Sequence, residues 1–246
     1  MVRSAMSGRG YPGRMTDAAE ALVAALRAES SKAELGRVRQ RLGPDEEAFG
    51  LRMGTLFEIA KRHTSLDLAD VDRLLDHPAY EPRLAAFCIL DFKARRRLSD
   101  EQRRELYDVY LGRHDRITTW DMVDRSAPRV VGGYLAGRSK APLRELAASD
   151  DPLRRRTAIT APLFFTRAGS DEDLAAAYDI AAMLAADPES VVHNAVGIFL
   201  KHAGKRDQAA LVGFLDEHAG SMPRPAVRLA AEKLPSDVRG RFVRSR

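Results

Sequence analysis

Residues 146–159 read LAASDDPLRRRTAI, and this stretch decides the fold class. An apolar helix end is followed by a polar turn, in which Pro152 comes directly after Asp151. Proline fits the first turn of a helix because the N–H that it lacks would be unbonded there in any case. The stretch therefore predicts the end of one helix, a short turn and the start of the next.

The same form recurs along the chain. Residues 74–87, 184–198 and 214–232 read LLDHPAYEPRLAAF, LAADPESVVHNAVGI and FLDEHAGSMPRPAVRLAAE. After each turn come a basic residue, a spacer and an alanine, and the four basic residues are Arg83, Arg156, His193 and Arg228. The last three follow one another at 37 and 35 residues, and the 73 residues from Arg83 to Arg156 hold two units. This period is typical of a HEAT-like helical-repeat solenoid.

We therefore expect an all-α fold, in which paired helices form a curved array with a basic concave face made by the second helix of each pair. Hydrophobic residues make up 45% of the chain and aromatic residues 7%, which favours helix packing through small side chains over a β-sandwich. Residues 1–15, rich in Gly, Ser and Arg, predict a flexible leader, and residues 16–246 predict a single domain.

The single cysteine excludes an internal disulfide, and its setting in LAAFCIL predicts that the Cys88 thiol is buried. No stretch approaches the roughly 20 apolar residues that cross a bilayer, so we expect no membrane partner. The N-terminal residues have no apolar segment of the signal-peptide type. We therefore expect a protein of the reducing cytoplasm.

The net charge of +5 is too small to establish nucleic-acid binding, so the placement of the charges matters more. Arg154, Arg155 and Arg156 fall in the predicted first turn of a helix, where the helix dipole disfavours cations. A helix N-terminus with added arginines suits an anion such as a phosphate. The alternative is that these arginines are simply hydrated.

The stretch TTWDMVD, residues 118–124, contains the single tryptophan of the chain. Within a helix Trp120 and Asp124 share one face, and Val123 packs between the turns. Asp121 points elsewhere, and we expect it to be a capping or surface acid. Either the indole is core and the Asp124 carboxylate is solvated, or the two side chains form one site.

Residues 118–128, TTWDMVDRSAP, and 149–159, SDDPLRRRTAI, resemble the AlkD-like DNA glycosylases, HEAT-like proteins that remove alkylated bases from DNA. The resemblance extends more thinly from about Ala21 to Lys205. It implies that Trp120 and Asp124 are the catalytic pair and that Arg156 is the arginine of the site. Since Arg83 and Arg228 hold the same repeat position, Arg156 has an alternative interpretation as a feature of the repeat.

The chain departs from the family pattern at two positions. The second tryptophan of the family's site falls at Ile198, which makes one wall of the substrate cleft aliphatic, and the Gly-turn position that contacts DNA is Arg52. The residues predicted to bind DNA are Arg52, Arg154, Arg155 and Lys201.

The resemblance implies an enzyme, a monofunctional glycosylase that hydrolyses the N-glycosidic bond of cationic alkylpurines in duplex DNA. These lesions are N3-alkyladenine and N7-alkylguanine, and the aliphatic wall is compatible with bulky adducts. One carboxylate can stabilise the sugar cation and orient the water. Because the six histidines show no metal-ligand spacing and no nucleotide-binding motif is present, we expect neither metal nor cofactor.

The expected partner is double-stranded DNA containing alkylated bases, bound in the cytoplasm at the nucleoid by a monomer without an obligate protein partner. Two alternatives remain open: a non-catalytic HEAT-repeat protein that binds damaged or branched DNA, and a HEAT-type protein-interaction scaffold. Salt-dependent binding to duplex DNA would separate the DNA-binding hypotheses from the scaffold. Release of free base from alkylated DNA would identify the enzyme.

Overall fold

The computed structural model describes residues 15–243, and all regular elements within that range are helical. In chain order they are α1 (Asp17–Ala28), α2 (Lys32–Arg39), α3 (Met53–Arg62), α4 (Leu68–Leu75), α5 (Tyr80–Ala94), α6 (Asp100–Gly112), a 3₁₀ turn (His114–Arg116), α7 (Trp120–Ala127), a π turn (Pro128–Gly132), α8 (Gly133–Leu135), α9 (Ala141–Ala147), α10 (Pro152–Thr160), a 3₁₀ turn (Ala161–Phe164), α11 (Phe165–Ala168), α12 (Asp171–Met183), α13 (Ser190–Arg206), α14 (Gln208–His218), α15 (Arg224–Ala230), a 3₁₀ turn (Ala231–Lys233) and α16 (Ser236–Val243). The predicted all-α fold is confirmed.

The chain forms two compact units, Met1–Ser126 and Ala127–Arg246. The structure describes 15–126 of the first and 127–243 of the second, so the predicted leader, apart from Met15, lies outside the described residues. The single domain, the curvature and the basic concave face remain predictions. Over residues 15–243, no helix combines the length and the apolar character needed to cross a membrane.

In the first unit α5 lies at the centre of the core. Eleven of its 15 residues are buried, because α1, α3, α4 and α6 all pack around it. Two of the buried residues are acids, Glu81 and Asp91, and both have partners. The Glu81 carboxylate accepts hydrogen bonds of 2.8 Å from the backbone N–H groups of Phe49 and Gly50, which fixes the loop before α3.

The second unit shows the helix pairing that the repeat predicts. Helix α10 packs on α9 and on α13, and α13 in turn packs on α14 and α15. The helices that follow the acidic turns thus stack on one another. At the α13–α15 contact a Cβ on Gly197 would lie 2.7 Å from the Ala226 carbonyl oxygen, so the close approach of the two backbones requires glycine.

The turn at residues 149–152 starts a helix as predicted. The Asp151 side chain accepts a hydrogen bond of 2.8 Å from the Leu153 N–H, and Pro152 is the first residue of α10. A side-chain cap of this kind satisfies an N–H that the helix itself leaves unbonded. The acidic/proline turns of the repeat are therefore helix starts, which accounts for their regular spacing.

Candidate functional site

Helix α7 carries Trp120 and Asp124 on one side and buries the other. Met122, Val123 and Ala127 are fully buried, whereas Asp124 is half-buried. Trp120 is 45% exposed, and in residues 15–243 only Met183 is another large hydrophobic side chain with such exposure. Tryptophan is enriched at contact surfaces, because its ring is apolar and its N–H can donate a hydrogen bond, so an exposed indole suits a binding surface. The interpretation of Trp120 as a core residue is therefore excluded.

Asp121 anchors the start of α7. It is buried, and its carboxylate accepts hydrogen bonds from the Tyr80 hydroxyl at 2.5 Å, the Arg41 guanidinium at 2.9 Å and the Thr119 hydroxyl at 2.5 Å. Burial and then the charge of Asp121 raise the pKa of the Tyr80 hydroxyl above its usual range, so this group stays a donor. The expectation that Asp121 is a surface or capping acid was wrong, because it is buried among donors from the turn after α2, the start of α5 and Thr119.

Arg125 holds α7 one helical turn further along, on the same face as Asp121. Its guanidinium lies over the Phe57 ring at 4.1 Å and the Phe92 ring at 4.7 Å from the ring centroids. It also lies 3.5 Å from the carboxylate of Asp91, which is fully buried and also binds Arg95 at 2.7 Å. A planar guanidinium that lies over two rings is fixed in orientation as well as in position. The two anchors therefore keep the buried side of α7 in place, with Trp120 exposed and Asp124 half-buried.

The buried thiol of Cys88 lies in the same core, as predicted. Burial raises its pKa to about 12, and the nearby Arg125 only partly opposes this shift. A thiol in this state is neutral and unreactive near neutral pH, so Cys88 is a packing residue of α5 rather than a nucleophile.

Arg156 is buried in the second unit. Its guanidinium donates a hydrogen bond to the Val191 carbonyl oxygen in the first turn of α13, which ties α10 to α13. The other repeat arginines differ from it: Arg83 pairs with Glu46, and Arg228 is exposed. The repeat position therefore does not impose one structural role on its arginine.

The arginines before Arg156 lie in different surroundings. The Arg154 side chain is 45% exposed, and its nearest acid, Asp151, lies 4.0 Å away. Arg155 is held by Asp187 at 2.6 Å and by the Ser149 carbonyl oxygen at 3.0 Å. The hydrogen bond to Asp187 raises the pKa of Arg155 above its ordinary value. Of these two arginines, Arg154 can thus move toward an anion without losing a strong partner.

The other three predicted site residues occupy varied positions. The Arg52 side chain is 81% exposed and lies 3.3 Å from Glu34, whereas Lys201 is 19% exposed and lies 3.2 Å from Glu232. Ile198 is half-buried on α13, and its neighbour Phe199 is fully buried in the core. Phe199 therefore does not supply an aromatic side chain in place of Ile198 at the predicted cleft wall.

The anchors of α7 were not identified from the sequence. Arg41 and Tyr80 precede Asp121 by 80 and 41 residues, and Phe57 precedes Arg125 by a similar span. No spacing rule for a single helix reports contacts at such separations. The available signal was the repeat itself, since residues one or two repeats apart can lie on neighbouring helices.

Comparison with known proteins gives two findings. The family model described as "DNA alkylation repair enzyme" matches residues 22–234. A solved structure, described as a predicted DNA alkylation repair enzyme from Enterococcus faecalis, is similar with a TM-score of 0.62 and 12% identity over 85% of this chain and 98% of that one. At this identity the structural match shows the shared fold alone. No curated protein matches the chain.

Proposed function

The chain belongs to the DNA alkylation repair enzyme family, and we propose that it is a DNA glycosylase that excises cationic alkylpurines from duplex DNA. Membership supports a role in DNA repair. The proposed substrates are N3-alkyladenine and N7-alkylguanine, with bulky N-alkyl adducts as a further group. The proposed reaction is hydrolysis of the N-glycosidic bond by a monomer.

The observation that carries this proposal is the outward side of α7. An indole that is 45% exposed stands one helical turn from a half-buried carboxylate, on a helix that Asp121 and Arg125 anchor through the neighbouring face. A fixed carboxylate can stabilise positive charge that develops in a transition state, because it needs no reorganisation at that moment. The face of an indole attracts cations as well. Together Trp120 and Asp124 suit a substrate that is itself cationic.

In the proposed reaction the C1′–N bond breaks, and its electron pair goes to the base, which leaves as a neutral molecule. The deoxyribose becomes an oxocarbenium ion, which the Asp124 carboxylate stabilises. Water then forms the new C1′–O bond and loses a proton to Asp124 or to solvent. Because the alkylated base is already a good leaving group, no strong general acid is needed to protonate it.

We assign the contacts with DNA phosphates to Arg52, Arg154, Arg155 and Lys201. Arg52 and Arg154 are the most exposed of the four, whereas a phosphate has to compete with Asp187 for Arg155 and with Glu232 for Lys201. For Arg156 we propose a positioning role, because its guanidinium binds the backbone of α13, the helix that also carries Ile198. Ile198 is the proposed aliphatic wall of the cleft.

The test is single-turnover release of alkylated base by the wild type and by Asp124→Asn, which keeps the size of the side chain and removes its charge. We expect release to fall by roughly two to three orders of magnitude, the scale for one lost electrostatic stabiliser. Affinity for DNA should stay the same or rise, since a negative charge near phosphates is lost. Equal rates in the two proteins would contradict the proposal.

Asp108→Asn is the matched control. Asp108 is a partly exposed acid on α6, 47% exposed and within 3.5 Å of Arg104, and it has no part in the proposed site. Its variant should release base at the wild-type rate. A loss as large as that of Asp124→Asn would show that the assay responds to charge in general.

A further inference from the structure

Two cavities in the described part of the second unit differ in the charge of their linings. The larger, about 660 Å³, is lined by four acids, Asp171, Asp179, Asp207 and Glu217, together with Arg206 and His218. The smaller, about 260 Å³, contains the basic side chains of Arg129, Arg167 and His202, and none of its lining residues is acidic. A nucleic-acid ligand carries negative phosphates, so electrostatics directs it to the smaller cavity despite the difference in size.

Three segments of the second unit build the smaller cavity. They are the π turn, the 3₁₀ turn with α11 that follows α10, and the end of α13. In the π turn the Gly133 N–H donates to the Pro128 carbonyl oxygen, five residues back, so the turn is wider than an α-helical one. A Cβ on Gly132 would lie 2.9 Å from the Cβ of Phe164, which means that glycine is needed for the two turns to pack together.

The lining of this cavity combines apolar and basic side chains. Pro128, Leu163 and Phe164 supply the apolar and aromatic surface. The volume is about nine times the roughly 30 Å³ that one water molecule occupies, which is more than a phosphate group alone would fill. Proteins that bind unpaired nucleotides combine these two features, an aromatic surface for the base and cations for the backbone.

The charged groups that act on His202, in the lining of the cavity, are mainly positive. The pKa of His202 is lowered, first by burial and then by the charges of Lys205, Lys201 and Arg167, while Glu232 opposes these effects. The carboxylate of Glu232 already binds Lys201 at 3.2 Å and Lys233 at 2.9 Å. A lowered pKa keeps His202 neutral near neutral pH, so the charges in the lining that favour an anionic ligand are those of Arg129 and Arg167, and His202 can donate a hydrogen bond.

We propose that this cavity binds one unpaired nucleotide of the DNA, with its phosphate at Arg129, Arg167 and His202 and its base against Phe164. The choice of DNA as the ligand rests on the proposed function. The cavity is a second nucleotide site, made of residues other than those assigned to excision. The cavity would recognise a nucleoside phosphate. A free mononucleotide and an unstacked nucleotide of a DNA strand both contain this group.

The experiment measures fluorescence anisotropy with two labelled duplexes, one fully paired and one that carries a single unpaired nucleotide. The wild type should bind the second duplex roughly five- to tenfold more tightly, near the lower end of what one base–aromatic stack contributes. Arg167→Ala and Phe164→Leu should each remove most of this preference. Arg167 is exposed, so its variant is expected to fold, and thermal melting checks both proteins.

Arg144→Ala is the matched control, because Arg144 is 47% exposed and pairs with Asp179 at the acidic cavity. It should keep the preference. Equal wild-type affinity for the two duplexes, a preference that survives in both folded pocket variants, or an equal loss in Arg144→Ala would each overturn the proposal.

Two further measurements separate the outcomes. If deoxyadenosine monophosphate binds the protein and the unpaired nucleotide gives no preference, the ligand is a free nucleotide and the assignment to DNA is overturned. Base release from a fully paired alkylated duplex is measured in parallel. If the protein releases base but does not prefer the duplex with the unpaired nucleotide, only the nucleotide site is refuted. If it shows the preference but releases no base, the proposed reaction is refuted and the nucleotide site is supported.

Discussion

Asp121 is the residue on which the orientation of α7 depends most directly. It receives three hydrogen bonds from groups that belong to three different parts of the first unit. A buried carboxylate of this kind fixes the orientation of its helix, because its hydrogen bonds hold only in one arrangement of the donors. The orientation of the neighbouring Trp120 is fixed as well, because the first turn of the helix cannot rotate without breaking the hydrogen bonds of Asp121.

We expect Asp121→Ala to lower the free energy of unfolding by about 2 kcal/mol, because the buried Tyr80 hydroxyl loses its acceptor. Arg41 is 28% exposed and can be rehydrated, which limits the cost. Asp121→Asn keeps an acceptor and should cost about half as much. Urea unfolding measures both, with Asp108→Asn as the control. An Asp121→Ala protein as stable as the wild type would show that α7 needs no such anchor.

His202 gives a pH dependence whose sign follows from its surroundings. Since its pKa in the folded protein is lowered, chiefly by burial, the unfolded chain binds the proton more tightly. His202 therefore lowers the free energy of unfolding as the pH falls below about 6.5, the ordinary pKa of histidine. This loss reaches its full size below the pKa of His202 in the folded protein. His202→Gln should lose less stability than the wild type between about pH 7.5 and pH 5. Urea unfolding at the two pH values tests this, and equal losses would contradict it.

At the scale of an element, the first turn of α10 shows how neighbouring arginines acquire different roles. Arg154 faces solvent, Arg155 is tied to Asp187, and Arg156 is buried against α13. Successive helical residues point about 100° apart, so three identical side chains in a row meet three environments. A run of basic residues in a sequence is therefore not one basic patch.

We expect Arg154→Ala to flatten the salt dependence of DNA binding by about one unit of log–log slope, the value for one lost phosphate contact. Arg155→Ala should change the slope less and lower the melting temperature, because the variant leaves the buried Asp187 without its ion pair. Binding titrations over a range of salt concentrations measure the slopes. Arg104→Ala, at an arginine on α6 that is 69% exposed, is the control and should leave the slope unchanged.

At the scale of the whole molecule, the repeat predicted the fold class and the helix starts because both depend on local chemistry. The Asp151–Pro152 start and the close packing at small residues such as Ala226 are examples. The sequence spacing predicted which residues share a helix face with Trp120, but it did not predict that Trp120 is exposed. The same spacing occurs on buried faces and on exposed faces. The anchors Tyr80 and Phe57 depend on tertiary contacts between distant parts of the chain, and a single sequence does not reveal these.

The prediction of a single domain over 16–246 can be tested through Cys88, which is buried in the first of the two compact units. Labelling of this thiol in urea reports the opening of the first unit, whereas circular dichroism reports the helices of both. If the chain is one cooperative domain, the two midpoints coincide. A thiol that becomes reactive well before the helical signal is lost would show that the units unfold separately.

The exposed side chain of Trp120 also provides an intrinsic fluorescence signal for binding. It is the single tryptophan of the chain, so the indole fluorescence of all 246 residues comes from one side of one helix. Changes in emission on adding a ligand therefore report events at that surface, without a dye or an engineered label. Because the indole already contacts water in the folded state, unfolding shifts its emission wavelength less than it would for a fully buried tryptophan.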